Sequence, residues 1–370
     1  MITWSLAMIV RDEDDTLARC LDSVQDVFDE IVIVDTGSTD RTKEVAGRFT
    51  PNVLDFAWTD DFAAARNHAF GHATADFVMW LDADDVLLPA DRAKLLELKK
   101  SLGPPVDAVT SVYHTAFDDS GNLVASTRRI RIIRRGSGFR WVGAIHEDLV
   151  TGQQYHYLDT DIVITHRKPD SRAGVSYRNR RIFEKMLAEG TPMRPVDELN
   201  YARELQVTKD FDAAIPYYER FLASEPADPD RHLFALNKLA TCYYMTGQRD
   251  KEWECTLKSL ELDAPRPEFS CRIGERFLSR NQFQQAIFWY ETALTNPAAH
   301  RTETVENHAF ATWLPHKQLG MCYFQVGNLE KSLHHTRIAQ SYQPEDQTYA
   351  ANIAMLEALI AERNEAGTSG

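Results

Sequence analysis

The stretch Phe77-Val78-Met79-Trp80-Leu81-Asp82-Ala83-Asp84-Asp85 is a five-residue apolar run that stops abruptly at three carboxylates in four positions. A short continuous apolar run ending in polar residues reads as a buried strand. In an open α/β sheet, ligands gather outside the carboxyl ends of the strands, so these carboxylates stand where a site belongs. Carboxylates at i and i+2 supply the hard oxygen ligands that a divalent cation prefers, and such a cation can neutralise a diphosphate. On spacing alone a solvated acidic turn fits as well, and the surrounding sequence has to decide.

Working outward, Trp4 to Val10, Ile31 to Val34, Val53 to Trp58 and Ala108 to Tyr113 are further β-branched and aliphatic runs. Between the first two, Thr16, Leu17, Cys20, Leu21 and Val24 share a helical face, with Asp14 or Asp15 as cap, which makes a βαβ unit. Pro89 opens another helix, and Gly103-Pro104-Pro105 closes it. Strands alternating with helices up to about residue 168 predict a mostly parallel sheet covered by helices. Two more segments carry polar groups at strand ends. Val34-Asp35-Thr36-Gly37-Ser38-Thr39-Asp40 tops the second strand, and Asp61-Phe62-Ala63-Ala64-Ala65-Arg66-Asn67 starts a helix. Taken locally, the first is an Asx-turn with a helix cap.

The chain has 370 residues, about two domains' worth, with 44% hydrophobic and 26% charged side chains. That composition excludes a largely disordered chain. A net charge of -14 argues against non-specific nucleic-acid binding as a main function. No apolar run approaches the ~20 residues of a membrane span, and no signal peptide is expected. Five widely spaced cysteines without a CxxC pair fit a reduced cytoplasmic protein, with Cys242 and Cys322 as small core residues.

From residue 169 onward, apolar residues recur at three- and four-residue spacing. Ala214, Glu252, Ala286 and Ser332 occupy one recurring position, at intervals of 38, 34 and 46 residues. Pro226, Pro265, Pro297 and Pro344 end the successive segments, while Leu239-Ala240, Ile273-Gly274 and Leu319-Gly320 mark the upstream helices. This pattern resembles the tetratricopeptide repeat, a helix pair of about 34 residues. Glu252 departs from the usual small residue. Ala298 to Ala311, with His300, Arg301 and His308, is an insertion that maps to a loop, and Leu356, Leu359 and Ile360 form the inner face of a capping helix.

Ala7 to Glu13, Val34 to Asp40, Asp61 to Asn67 and Leu81 to Asp85, in that order, resemble family 2 glycosyltransferases of the GT-A fold. With the repeats that follow, the chain resembles the branch that includes the sublancin-type peptide S-glycosyltransferases. The resemblance implies an α/β GT-A domain over residues 1–168 and a helical repeat domain over 169–370. It implies that Asp35 recognises the uracil of a sugar nucleotide, that the main chain from Ile9 through Val10 to Arg11 lines the base pocket, and that Arg66 and Asn67 stand near the nucleotide. Asp82 then lies nearer the ribose and donor sugar, Asp84 ligates a metal, and Asp85 supports the turn. Gly143-Ala144-Ile145-His146-Glu147-Asp148 resembles the segment facing the donor, which makes Glu147 the catalytic base and Asp148 the alternative. The resemblance also implies that His166, ending the run Ile162 to Thr165, is a further metal ligand, and imidazole beside carboxylates suits Mn²⁺ as well as Mg²⁺.

The cluster Arg128-Arg129-Ile130-Arg131-Ile132-Ile133-Arg134-Arg135 alternates cations with isoleucine. It reads as an edge strand with one cationic face, from which Arg131 or Arg134 reaches the donor diphosphate or an acidic acceptor. The expectation is a metal-dependent inverting transferase. It would move a hexose from UDP-glucose or UDP-N-acetylglucosamine to a discrete acceptor, a peptide or protein side chain. A saccharide or lipopolysaccharide acceptor and a non-catalytic repeat scaffold are the alternatives. The repeats also suit a homodimer.

Overall fold

The computed structural model describes residues 2–167, 177–224, 228–295 and 304–368. Pro226, Pro297, His300 and Arg301, and the expected boundary at residue 168, lie outside them. The chain forms two compact units, Met1–Thr115 with Thr127–Phe221, and Ala116–Ser126 with Leu222–Gly370.

The first unit is built on a mixed, mostly parallel sheet. Its strands are β1 (Trp4–Val10), β2 (Glu30–Asp35), β3 (Val53–Asp55), β4 (Phe77–Trp80), β5 (Asp85–Val86), β6 (Ala108–Phe117), β7 (Leu123–Arg134) and β10 (Tyr157–His166). They lie in the order β3-β2-β1-β4-β7-β6-β10-β5. β1 is parallel to both β2 and β4, so the strand order reverses beside it and opens a crevice at the carboxyl ends. A separate ribbon pairs β8 (Arg140–Val142) with β9 (Asp148–Val150).

Helices α1 (Leu17–Asp22), α2 (Thr42–Ala46), α3 (Phe62–His72) and α4 (Pro89–Ser101) follow strands in turn. Trp4, Leu6, Met8, Leu17, Leu21, Ile33, Phe77, Met79 and Leu95 are among the residues of a sealed core cluster. Continuous apolar strands are what a sheet covered on both faces requires. Thr16 rather than an aspartate precedes α1, and no side chain caps that helix.

One expectation for this half is corrected. β7 is no edge strand, because β4 and β6 flank it, so its inward cation is interior and not solvent-facing. The unit runs past His166 to Phe221, and thus includes α5 (Arg178–Ala188), α6 (Pro195–Val207) and most of α7 (Phe211–Ala223).

The second unit stacks helix pairs: α8 (Pro229–Met245) with α9 (Arg249–Ser259), α10 (Pro267–Leu278) with α11 (Phe283–Thr295), α12 (Trp313–Gln325) with α13 (Leu329–Tyr342), closed by α14 (Gln347–Thr368). The pairs cross closely where one member is glycine. A Cβ on Gly274 would lie 2.9 Å from Tyr290, and one on Gly320 would lie 2.7 Å from the Thr336 hydroxyl. Ala286 and Ser332, at the recurring position, are buried. Glu252 is only half-buried there and pairs with Arg249 and Arg272, which is how a charged residue fits the small-residue position. The described part of the insertion is not all loop, since Glu306–Asn307 forms β11, paired with Ser126 and Ala125. All five cysteines are buried.

Candidate active site

The first two strands end in loops that brace one another. Asp12, at a left-handed φ of 52°, accepts from the Thr39 amide at 2.7 Å, while its own amide donates to the Ser38 hydroxyl at 2.9 Å. Asp35 ends β2 with its side chain buried. Its Oδ1 accepts from the Gly37 and Ser38 amides, each at 2.9 Å, the Asx-turn expected from the sequence. Its Oδ2 is sealed from solvent and has no hydrogen-bond partner among the described residues. An unpaired buried carboxylate oxygen costs more than a kcal/mol unless a ligand satisfies it. The Val10 carbonyl instead accepts from the Thr36 amide at 2.9 Å and its hydroxyl at 3.1 Å, so it anchors the turn. Arg11 is exposed next to Asp12.

After β4 the three carboxylates separate into different roles. Asp85 is wholly buried, with Oδ1 accepting from the Tyr113 hydroxyl at 2.8 Å and Oδ2 accepting from Arg131 at 3.1 Å and the Asp82 amide at 3.0 Å. It is the keystone of the acidic loop. Arg131 is equally buried, its guanidinium stacked 3.8 Å from the Trp80 ring and 4.3 Å from the Tyr113 ring. With no exposed surface it does not meet a donor phosphate, and the expected donor contact is corrected to a structural one beneath the loop.

Asp84 remains on the outer side, its Oδ1 3.2 Å from His166 Nδ1; Asp85 Oδ1 is 3.7 Å from the same nitrogen. Asp84, Asp85 and His166 are the group of side chains placed to hold a metal ion among the described residues. Both Asp85 oxygens are already engaged, so Asp84 and His166, paired with each other here, are the side chains that would exchange that contact for an ion, and hard oxygen with imidazole nitrogen fits Mn²⁺ or Mg²⁺. Burial alone would lower the pKa of His166, but hydrogen bonds to Asp84 and Asp85 prevail and raise it to about 10.

Arg66, projecting from α3, ties the acidic loop to a distant segment. Its Nη2 donates to Asp82 Oδ1 at 2.7 Å and its Nε donates to Glu147 Oε1. Trp80 and Trp141 flank the guanidinium at 4.7 and 5.0 Å. Asp82 would be raised by burial, but the charges of Arg66 and Arg131 outweigh that and hold it below the usual carboxylate range. Asn67 is engaged by the β8 ribbon. Its amide nitrogen donates to the Trp141 carbonyl and its oxygen accepts from the Trp141 amide, both at 2.9 Å, which clamps β8 as a partner strand would.

Glu147 follows a turn that contains Gly143 at φ 107° and His146 at φ 51°. Asp148 begins β9 opposite Val142. His146 Nε2 lies 2.6 Å from Glu204 Oε1 on α6. Burial pulls its pKa down against the opposing pull of Glu204, which favours a neutral ring donating from Nε2. Glu204, Asn179, Trp80, Trp141 and Tyr113 also take part in the site, and the sequence reading gives them no role there. A tryptophan ahead of the acidic loop and another ahead of Gly143 were the only local signals, and nothing around Glu204 distinguishes it from a repeat-helix glutamate.

The model of glycosyl transferase family 2 matches residues 5–141. This part of the chain is a family 2 glycosyltransferase domain. The transferase domain of this chain is therefore matched through β1 to β8, while Glu147, His166 and the repeats lie beyond the match. Glycosyltransferase SunS, encoded by an SPbeta prophage of Bacillus subtilis, is 26% identical over 71% of this chain and 64% of its own length. A TPR repeat-containing protein of Synechococcus elongatus is 38% identical over 39% of this chain and 34% of its own. The chain thus spans less than two thirds of the length of either relative. Among solved structures, glucosyl-3-phosphoglycerate synthase of Mycobacterium tuberculosis, crystallised with Mn²⁺, UDP-glucose and phosphoglyceric acid, covers 30% of this chain and 44% of its own at 22% identity, with a TM-score of 0.27. No helix among the described residues is long and apolar enough to cross a membrane.

Proposed function

We propose that this chain is a metal-dependent inverting glycosyltransferase that moves a hexose from UDP-glucose or UDP-N-acetylglucosamine to a peptide or protein side chain. The observation that carries the reading is Arg66, which brings Asp82 and Glu147, 65 positions apart in sequence, onto one buried guanidinium. A carboxylate facing the donor and a carboxylate facing the acceptor are what a single displacement at an anomeric carbon needs. Asp35 Oδ2, buried without a partner among the described residues, suits an N–H donor on the edge of a nucleotide base. Asp84 and His166 would hold Mn²⁺ or Mg²⁺, which when bound stabilises negative charge on the leaving diphosphate. Glu147 takes the acceptor proton, with Asp148 as the alternative base. The stacked helix pairs of the second unit present the extended surface that suits a peptide or protein acceptor.

Thermal stability in UDP and Mn²⁺, singly and together, tests the donor site without knowledge of the acceptor. A ligand at about 100 times its Kd adds about 2.7 kcal/mol, so synergy between the two is readily visible. Asp84→Asn should abolish the metal-dependent part, and Asp35→Asn should weaken UDP alone. Failure of every nucleoside diphosphate to stabilise the chain with metal would sink the reading. UDP synergy with turnover only on saccharide acceptors would replace the peptide acceptor.

A further inference from the structure

We propose that Glu204, on a helix beyond the matched transferase domain, is a positioning residue of the active site: it grips His146 and so holds the turn that presents Glu147. The inference rests on the reading of Glu147 given above. The turn between β8 and β9 contains two left-handed residues within four positions, Gly143 and His146. A non-glycine residue persists in that conformation only where its surroundings over-determine it. The surroundings here come largely from α5 and α6. Glu204 Oε1 receives the His146 imidazole at 2.6 Å and the Asn179 amide at 3.3 Å, and Glu204 is itself almost wholly buried.

A second contact, from Arg194 immediately before α6, reaches the same turn. Arg194 is locked to Asp197 by two hydrogen bonds of 2.8 and 2.6 Å, and its Nη2 lies 2.5 Å from where a Cβ on Gly143 would stand. From the other side, the Phe62 amide at the start of α3 donates to the Ala144 carbonyl at 2.9 Å. The turn is thus held between the helix that carries Arg66 and the helix that carries Glu204. The hydrogen bonds of Glu204 run to His146 and Asn179 and not to Arg66 or Glu147, so its effect passes through the backbone at His146. The helices after β10 are on this account part of the transferase and not only the start of a repeat array.

The test uses the full chain with Glu204→Ala, Glu204→Gln and His146→Asn, read by hydrogen–deuterium exchange over residues 143–148 and by steady-state release of UDP from a UDP-sugar. Asparagine tolerates the left-handed backbone but is too short to reach Glu204. Glu204→Ala and His146→Asn should each speed exchange in the turn and lower kcat about 10–100-fold, with donor KM within about threefold, since small misplacement of a reacting group costs up to ~10²-fold. The double variant should be no worse than either single one. Glu204→Gln should keep both readouts near wild type, because both donors converge on one oxygen that a carboxamide also supplies. Unchanged exchange and kcat in Glu204→Ala, a loss confined to donor KM, or a Gln variant as impaired as Ala would each overturn the proposal. If Glu204→Ala does not fold, His146→Asn decides the same question. Absence of UDP release from the wild-type chain would count against the transferase reading, whereas the exchange result judges the positioning contact by itself.

Discussion

Two arginines stack on Trp80 and serve opposite ends. Arg131 and Asp85 are both sealed, with no exposed side-chain surface on either. Arg66 is nearly as buried, but one of its two carboxylates, Asp82, keeps 35% of its side chain exposed. Desolvation makes a buried pair costly to assemble and more costly to break, so the first pair acts as scaffold. The second retains an open oxygen, and its guanidinium is shared between two anions, which leaves charge available to answer a ligand. Exposure of one carboxylate separates a sealed ion pair from one that a ligand can reach.

That contrast can be broken most forcefully at the sealed pair. Arg131→Met leaves the Asp85 charge buried alone and should cost about 3–5 kcal/mol, read as an earlier unfolding transition by tryptophan fluorescence, with much of the loss recovered in Arg131→Met/Asp85→Asn. A stable single variant would remove Arg131 from its scaffold role. At the open pair, Arg66→Gln should lower kcat/KM for UDP-sugar turnover about 10–100-fold, from loss of a charge-assisted contact worth ~1.5–3 kcal/mol, while the melting temperature falls less than for Arg131→Met. Equal stability loss at both sites would erase the distinction.

The acid limb of the stability profile sharpens the picture at His146. Its folded pKa is held below the unfolded value of ~6.5, so the unfolded chain binds the extra proton between the two values. The stabilisation that comes from keeping the ring neutral is present above pH ~6.5 and lost as pH falls through the folded value. His146→Asn should therefore show a flatter decline in melting temperature below pH 6.5 than wild type. An unaltered profile would place the acid sensitivity elsewhere. The smallest effect is expected at Lys185–Asp60, an exposed pair at 2.6 Å, where Lys185→Ala should leave both melting temperature and turnover unchanged.

Much of the fold was legible because buried parallel strands must be continuously apolar, and Trp4 to Val10, Ile31 to Val34 and Phe77 to Trp80 are. The helix repeats were legible through spacing, and even the exception at Glu252 was visible. The strand carrying Arg129 and Arg131 was misread as an edge, since cations on a strand suggest solvent, and only the positions of Asp85, Trp80 and Tyr113 show how one cation lies inside. The Asn67 clamp is illegible for a related reason: adjacency to Arg66 says nothing about Trp141, its partner 74 positions away.

By itself the sequence determined which chemistry is present: carboxylates at strand ends, an arginine at a helix start, a histidine ending a strand, and stacked helix pairs behind them. These are local patterns, set by the periodicity of side chains along a strand or helix and by the residues that terminate each element. Tertiary structure decided which of those groups meet and which are spent on the scaffold. Asp82, Asp84 and Asp85 are near-equivalent in sequence, yet one joins Arg66, one faces His166 and one is buried under Arg131. Burial and pairing are properties of the surroundings in space, and for Glu204, 58 positions from His146, no local pattern could have announced them.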